Sequence, residues 1–547
     1  MACANKVSRN FVRNILNAGG MKGCIGIRTN QVLSIVMASI VLSAWLIGPQ
    51  VIRASWGIID DHDTLKMIGA GNHHLPLDQY FHVMFTQTEM GMIGHYLRFR
   101  PFYYPALLGE AVVWGDNVHL WYACRVGLLA IFIAGIWAAI ARYLGIIVGL
   151  CVVLLVMRGS YWGDVWARLG PGEIYGAAGL GLWLVGLDGM FASTDNRFRN
   201  LSMLAVTVGT VMMVGSKETL FPFAGYSICV FAIAVYLRRD SLAAKIHLGL
   251  MLAYSAMTAA VIGLALSRAG EDFLGRPVGM VERVVQIVAP LTASVEKFVV
   301  PALLLLTLTA AFTRWRPAER ADFRDSWLRP ALVYSVGVVL FWSLYLSQYV
   351  GYNGQWPTGY RYDFPGLLAV PGFVVGSVMF LVAVSRPYPL LGRAIRGAAV
   401  AAAFAIIVLS LRAIPFPLSN AVAENIGRTA KFQEALGELA ELAKKDPQQP
   451  IILRANGAWS YEKIVSVAVY LHNYYNIANP IAVKFYSDGN PDLKYVSLGE
   501  IIKLWQRDGR QGQLVPFGSI AERAGSSCLS IGINGSAEPG CGAGFEM

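Results

Sequence analysis

Runs of some twenty apolar residues recur along this chain, and a run of that length leaves few folds open. A helix rises ~1.5 Å per residue against a hydrocarbon core ~30 Å thick, so a membrane span takes about 20 mostly apolar residues. By that measure spans are expected near 32–52, 118–140, 143–158, 174–191, 200–215, 219–237, 246–266, 288–312, 331–347, 364–384 and 397–413, about eleven in all. Composition agrees: 55% of residues are hydrophobic, 14% are charged and the mean hydropathy is +0.50. A soluble globular chain is about a quarter charged. The expected fold class is an α-helical polytopic membrane protein.

Charge then orients the spans. The net charge of +11 would suggest nucleic acid in a soluble chain. Here the basic residues fall on alternate loops: Arg142; Arg197 and Arg199; Arg238, Arg239 and Lys245; the 314–329 cluster; Arg386, Arg393 and Arg396. That is retention of positive charge on one side of a membrane, so no nucleic-acid partner is expected. The segment 1–31 contains Lys6, Arg9, Arg13, Lys22 and Arg28 and no acid, which puts the N-terminus on that cytoplasmic side. The 32–420 region is then a transmembrane domain. Its outer loops are Arg53–Asn117, Gly159–Glu173, Ser216–Glu218, Ser267–Gln286 and Ser347–Asp363. In the long first outer loop, 53–117, the segments Asp78–Gly94 and Tyr103–Trp114 read as amphipathic pieces able to lie along lipid. The tail, 421–547, reads as a soluble extracytoplasmic domain. It opens with an amphipathic helix, and strand, helix and strand follow at 450–454, 461–475 and 481–486, a small α/β arrangement. Cys528 and Cys541 of that tail are expected to form a disulfide if exported.

Chemistry concentrates at span ends on the outer side. Trp56-Gly-Ile-Ile-Asp-Asp-His-Asp63 packs Asp60, Asp61 and Asp63 beside a membrane edge, where charge is costly unless solvated, paired or used. A carboxylate there suits a general base, and a second could hold a divalent cation, Mg or Mn, at Asp61. Asp63 is expected only to cap a helix. Arg98 and Arg100 present guanidinium groups suited to phosphate or to lipid headgroups, and Lys217 presents a point charge for a lipid phosphate. Arg168 and Glu173, flanking Gly170-Pro-Gly172, are candidates to pair with each other, as are Lys217 and Glu218. Around Arg361, Trp356 and Tyr360 could stack on sugar faces. His62, His73 and His74 lack the spacing of a zinc site. No Gly-rich phosphate loop is seen, so no nucleotide site is expected.

These motifs together resemble the GT-C glycosyltransferases: an acidic pair in the first outer loop, the Ser216-Lys-Glu218 turn, Arg361-Tyr-x-x-Pro365 leading into a late span, and a soluble tail. The Arg168-Leu-Gly-Pro-x-Glu173 loop also looks like that of bacterial relatives. The resemblance implies an inverting transferase that moves a sugar from a polyprenyl-phosphate donor to a glycan, lipid or protein hydroxyl, working among membrane lipids at the outer face of a bacterial inner membrane. It implies Asp60 or Asp61 as base, with Lys217, Arg361 and Arg98 or Arg100 on the donor phosphate. Glu218, Arg168, Glu173, Trp356 and Tyr360 would line the substrate site. Two other readings fit the topology. An O-antigen-type polymerase or ligase would place its long charged loop late in the chain. A transporter would place charge or broken helices at mid-membrane.

Overall fold

No water reaches backbone N–H and C=O groups inside a bilayer, so an apolar run must close its hydrogen bonds within itself, and the helix does so. The computed structural model describes residues 29–58, 60–92, 99–192, 195–236, 241–269, 360–384, 416–449, 451–455 and 461–485. It also describes short pieces between 279 and 405 and the strands at 514–516, 529–531 and 537–539. The helices are α1 (Thr29–Ile47), α2 (Pro49–Arg53), α3 (Asp61–Ile68), α4 (Tyr80–Thr86), α5 (Tyr103–Val113), α6 (Val118–Leu144), α7 (Ile146–Val156) and α8 (Trp162–Trp166). There follow α9 (Glu173–Ala192), α10 (Asn196–Val214), α11 (Pro222–Tyr236), α12 (Ser241–Ala269), α13 (Gly366–Val384), α14 (Pro417–Lys445) and α15 (Tyr461–Val469).

Among the described residues, five segments are long and apolar enough to cross a membrane: Asn30–Ile47, Val118–Leu144, Glu173–Phe191, Glu218–Tyr236 and Leu242–Leu264. The chain is a helical membrane protein. The run at 143–158 departs from expectation. Gly145, at φ 96°, ends α6, and α7 has only 11 residues. That is ~16 Å of helix, about half the hydrocarbon thickness. The run at 200–215 forms α10, which opens on Arg197 and Arg199 and is not among the five. The run at 288–312 and most of those at 331–347 and 397–413 lie outside the described residues, as do Cys528 and Cys541.

Helices in lipid associate through close backbone contact more than through apolar burial. Helix α9 is built for that on two faces. A Cβ on Gly135 of α6 would lie 2.3 Å from the Gly181 Cα, and a Cβ on Gly186 would lie 2.6 Å from the Ser202 carbonyl of α10. Polar side chains add bonds across the same helices: the Trp183 indole donates to Ser227 Oγ (2.9 Å), which meets Thr210 Oγ1 at 2.7 Å.

The tail joins this body at both ends of α14. Buried Asn425 donates to Gln50 Oε1 and to the Tyr122 hydroxyl, both at 3.1 Å, and Gln50 donates to the Trp166 carbonyl at 3.2 Å. Further along, Leu436 and Leu439 of α14 and Tyr470 after α15 share one apolar cluster with Trp56, Leu65 and Leu108 of the first loop. Beyond α14, strands β1 (Ile451–Ala455), β2 (Ile481–Phe485), β3 (Leu514–Pro516), β4 (Leu529–Ile531) and β5 (Ala537–Pro539) form a sheet of order β3-β2-β1-β4-β5. Strand β1 runs parallel to β2 with Ile451 opposite Ile481, and only β5 is antiparallel to its neighbour. The α15 segment lies between β1 and β2 in sequence, so a helix connects these parallel strands.

Removing the Asn425 amide leaves buried partners unsatisfied, at a cost of about 1–3 kcal/mol. Asn425→Ala is therefore expected to lower the unfolding temperature of the full chain in detergent. Combined with Gln50→Ala, the loss is expected to be less than the sum of the two, because both changes break one network.

Candidate functional site

Four of the five expected outer loops meet. The first loop enters extended at Ala54–Gly57 and turns into α3 at Asp60. Asp60 stands at φ 60°, ψ −50°, a conformation costly for a residue with a Cβ. Its backbone carbonyl accepts the Asp63 N–H, yet its side chain caps nothing. The expected cap, Asp63, lies inside α3, with Oδ1 3.6 Å from His62 Nε2. Gly170 explains its own identity: a Cβ there would lie 2.4 Å from the Asp60 Cβ. The loop between α8 and α9 therefore presses directly against the strained residue.

The two neighbouring carboxylates have separate fates. Asp61 is buried. Its Oδ2 accepts the Gly57 N–H at 2.8 Å and its Oδ1 the Leu169 N–H at 3.3 Å. Burial pushes its carboxyl up to about 6, with the charge of Asp60 adding to the rise and the two N–H groups and Arg168 opposing it. Asp60 turns the other way, toward Arg361, whose Nη1 lies 2.5 Å from Oδ2 and whose Nη2 lies 3.4 Å from Oδ1. Burial would raise the Asp60 carboxyl too, but the Arg361 guanidinium overrides it, with Arg168 and His62 adding, and holds it below the ordinary value.

Two further ion pairs surround this one. Lys217 Nζ lies 2.5 Å from Glu173 Oε1, and Arg100 Nε lies 3.0 Å from Glu218 Oε1. Neither expected pairing forms. Lys217 is extended (φ −149°, ψ 124°) and Glu218 starts a short 3-10 turn, so neighbouring side chains leave the backbone on different sides. Arg168 pairs instead with Asp164, one helical turn back, at 3.2 Å. The ring of Tyr362 lies between two cations, with Lys217 Nζ at 4.8 Å and the Arg361 guanidinium at 5.2 Å. The backbone links these pieces: the Phe102 and Tyr103 N–H groups donate to the Gly215 carbonyl at 2.9 and 3.0 Å, and the Tyr103 hydroxyl donates to the Gly170 carbonyl at 2.5 Å.

A deeper layer supports the loops. Arg125, fully buried, lies 2.9 Å from Glu110 Oε2 and donates to the Leu169 carbonyl at 3.2 Å, while the Tyr175 hydroxyl donates to Glu110 at 2.8 Å. The tail holds the first loop from the other side. Tyr470 donates to the Gly57 carbonyl at 2.6 Å and Gln433 to that of Trp56 at 2.9 Å, and the Ser55 N–H donates to Thr429 Oγ1 at 3.2 Å. Ser466 Oγ meets His62 Nδ1 at 3.0 Å. Ser466 is fully buried, and it meets the ring nitrogen that a hydrolase triad gives to its acid, so Ser466, His62 and Asp63 do not form such a triad.

Of the residues singled out in the sequence, Asp60, Asp61, Arg100, Arg168, Glu173, Lys217, Glu218 and Arg361 belong to this cluster. Tyr360 is exposed beside it. Arg98 and Trp356 lie outside the described residues. Sequence reasoning passed over Tyr103, Glu110, Gln433 and Tyr470, and read Gly170 only as part of a turn. Tyr362 was legible as the aromatic next to Arg361 in the Arg361-Tyr-x-x-Pro365 motif. The residues present do not fit a Mg or Mn ion: both Asp61 oxygens are taken by N–H groups, and no group of three or more His, Cys, Asp or Glu able to hold a metal occurs among the described residues. Comparison with protein-family models, with curated proteins and with solved structures gives no match.

Lys217→Ala strands the Glu173 carboxylate in the interior and is expected to cost about 3–5 kcal/mol, read as a large fall in unfolding temperature. Lys217→Met with Glu173→Gln removes both charges and is expected to recover most of that loss. Asp61 gives a test in pH. The folded chain keeps its proton up to about 6, and the unfolded carboxyl loses it near 3.8. Its contribution to stability therefore falls as pH rises through that window. Thermal unfolding against pH is expected to show this slope in the native chain and not in Asp61→Asn.

Proposed function

We propose that this protein is a GT-C-type membrane glycosyltransferase taking its sugar from a polyprenyl phosphate. The observation that carries the reading is the Asp60 carboxylate, partly exposed and held beside fixed cations where the loops between spans meet. On this reading the spans outside the five described ones complete a domain of about eleven. The N-terminus is then cytoplasmic, and the tail is an extracytoplasmic α/β domain of a bacterial inner-membrane protein.

Asp60 is the base on this reading. Its side chain is 22% exposed, whereas Asp61 is 3% exposed with both oxygens engaged. The acceptor hydroxyl gives its proton to Asp60 as its oxygen bonds to the sugar C1, on the face opposite the phosphate. The C1–O bond to phosphate breaks, the configuration inverts, and polyprenyl phosphate leaves with the electron pair. Arg361 receives the growing charge on that phosphate, with Lys217 and Arg100 behind it, as preformed donors in a poorly hydrated site. Asp61 acts through shape, fixing the Gly57 and Leu169 amides around the base.

Transfer from a panel of sugar-linked polyprenyl phosphates, read as release of polyprenyl phosphate by the full chain, tests this. Asp60→Asn is expected to lower the rate by at least about a hundredfold while leaving the unfolding temperature close to the native one. Activity that survives Asp60→Asn would overturn Asp60 as base. Absence of both release and binding across the panel would overturn the transferase reading.

A further inference from the structure

Among the described residues, four carboxylate–cation pairs belong to the cluster, and they differ in how open they are. Arg168 and Asp164, from one loop, are the most exposed at 31% and 26%, and the other three join different loops. The side chains of Lys217 and Glu173 are 3% and 4% exposed, and those of Arg100 and Glu218 are 15% and 2%. Those of Arg361 and Asp60 are 19% and 22%. Opening a deep pair strands a charge in the interior, whereas a partly solvated pair is held more loosely. Of the three pairs that join different loops, Arg361–Asp60 is therefore the one an anion from solvent opens most readily.

Arg361 is already used in the way a phosphate would use it. A guanidinium grips two oxygens of one anion with two parallel N–H groups, and Nη1 and Nη2 of Arg361 both point at the Asp60 carboxylate. The guanidinium stays in place if Asp60 leaves, because it also lies over the Tyr362 ring and Nη2 reaches the Tyr362 hydroxyl at 3.4 Å. The Asp60 backbone has little room to follow, pressed by Gly170 at its Cβ. Release is thus a turn of one side chain.

We propose that Asp60 and the phosphate of the ligand compete for the Arg361 guanidinium, so that binding of a polyprenyl phosphate is the event that frees Asp60 to act as base. The inference rests on the function proposed above and adds an order to it. Without donor, the carboxylate is neutralised and cannot take a proton from an acceptor. With donor bound, the phosphate takes the place of the Asp60 carboxylate on the Arg361 guanidinium, the Asp60 side chain turns away, and the base is exposed next to the sugar. Donor binding precedes productive acceptor binding.

The test is a double-mutant cycle on binding, with no turnover needed. Farnesyl phosphate is titrated against the full chain in detergent for the native protein, Asp60→Asn, Arg361→Gln and the double variant. Competition predicts that Asp60→Asn tightens binding by about tenfold, since the competent state no longer has to be released. It also predicts that in the Arg361→Gln background Asp60→Asn changes binding by less than about twofold, because there is no guanidinium left to contest. Equal tightening in both backgrounds would mean plain charge repulsion and overturn the competition, as would no tightening at all. Native and Arg361→Gln chains that bind alike, or neither binding, would instead overturn the phosphate site itself. If Arg361→Gln does not fold, Arg361→Lys completes the cycle. It retains the charge and loses the two-pronged grip, and the tightening is then expected to shrink but not vanish.

Discussion

One carboxylate holds the centre of this molecule together. Asp61 accepts the Gly57 amide with one oxygen and the Leu169 amide with the other, tying the loop that leads into α3 to the loop that leads into α9. Everything nearby inherits its position from that staple. Asp60 is thrown outward into a strained conformation because its neighbour points in. Gly170 sits against Asp60 because Leu169 is pinned, and Arg125 reaches the Leu169 carbonyl from below. A carboxylate tied by two backbone N–H groups has little conformational freedom to lose, and an amide in its place would oppose an NH₂ group to one of those donors. The side chain that looks least available for chemistry is the one on which the geometry of its neighbour depends.

The electrostatics of the cluster follow a single pattern. Cations and carboxylates alternate, three of the pairs join different loops, and Tyr362 fills the space between Lys217 and Arg361. Buried pairs of this kind add little net stability. What they provide is a rigid, poorly hydrated set of dipoles and charges whose orientation is set before a ligand arrives, which is the property that lowers the cost of charge development.

How much of this could be read in the sequence depends on the range of the interaction. Hydropathy and loop charge are local, and they picked out the polar span ends, including eight residues of the cluster. Pairing is not local. Asp60 and Arg361 are 301 positions apart, and nothing in either neighbourhood names the other. Adjacent Lys217 and Glu218 invited a mutual pairing that an extended backbone forbids. The 143–158 run is apolar enough for a span, but Gly145 at positive φ breaks the helix, a choice that hydropathy does not register. The tail shows the same limit. The repeat of apolar residues in 417–445 announces a helix with a buried face, yet it cannot say that this face covers the loop bearing Asp60.

That covering has a consequence for how the protein is made. The loop that carries Asp60 is synthesised early, and Gln433 and Tyr470, which hold its Trp56 and Gly57 carbonyls, are synthesised hundreds of residues later. Contacts between such distant parts of a chain form late, since the loop between them must first be closed. During translation the membrane helices insert while the loop has none of its final partners from the tail. The geometry around Asp60 is completed only when the last segments dock, so the nascent chain passes through insertion with this cluster of charges still unassembled.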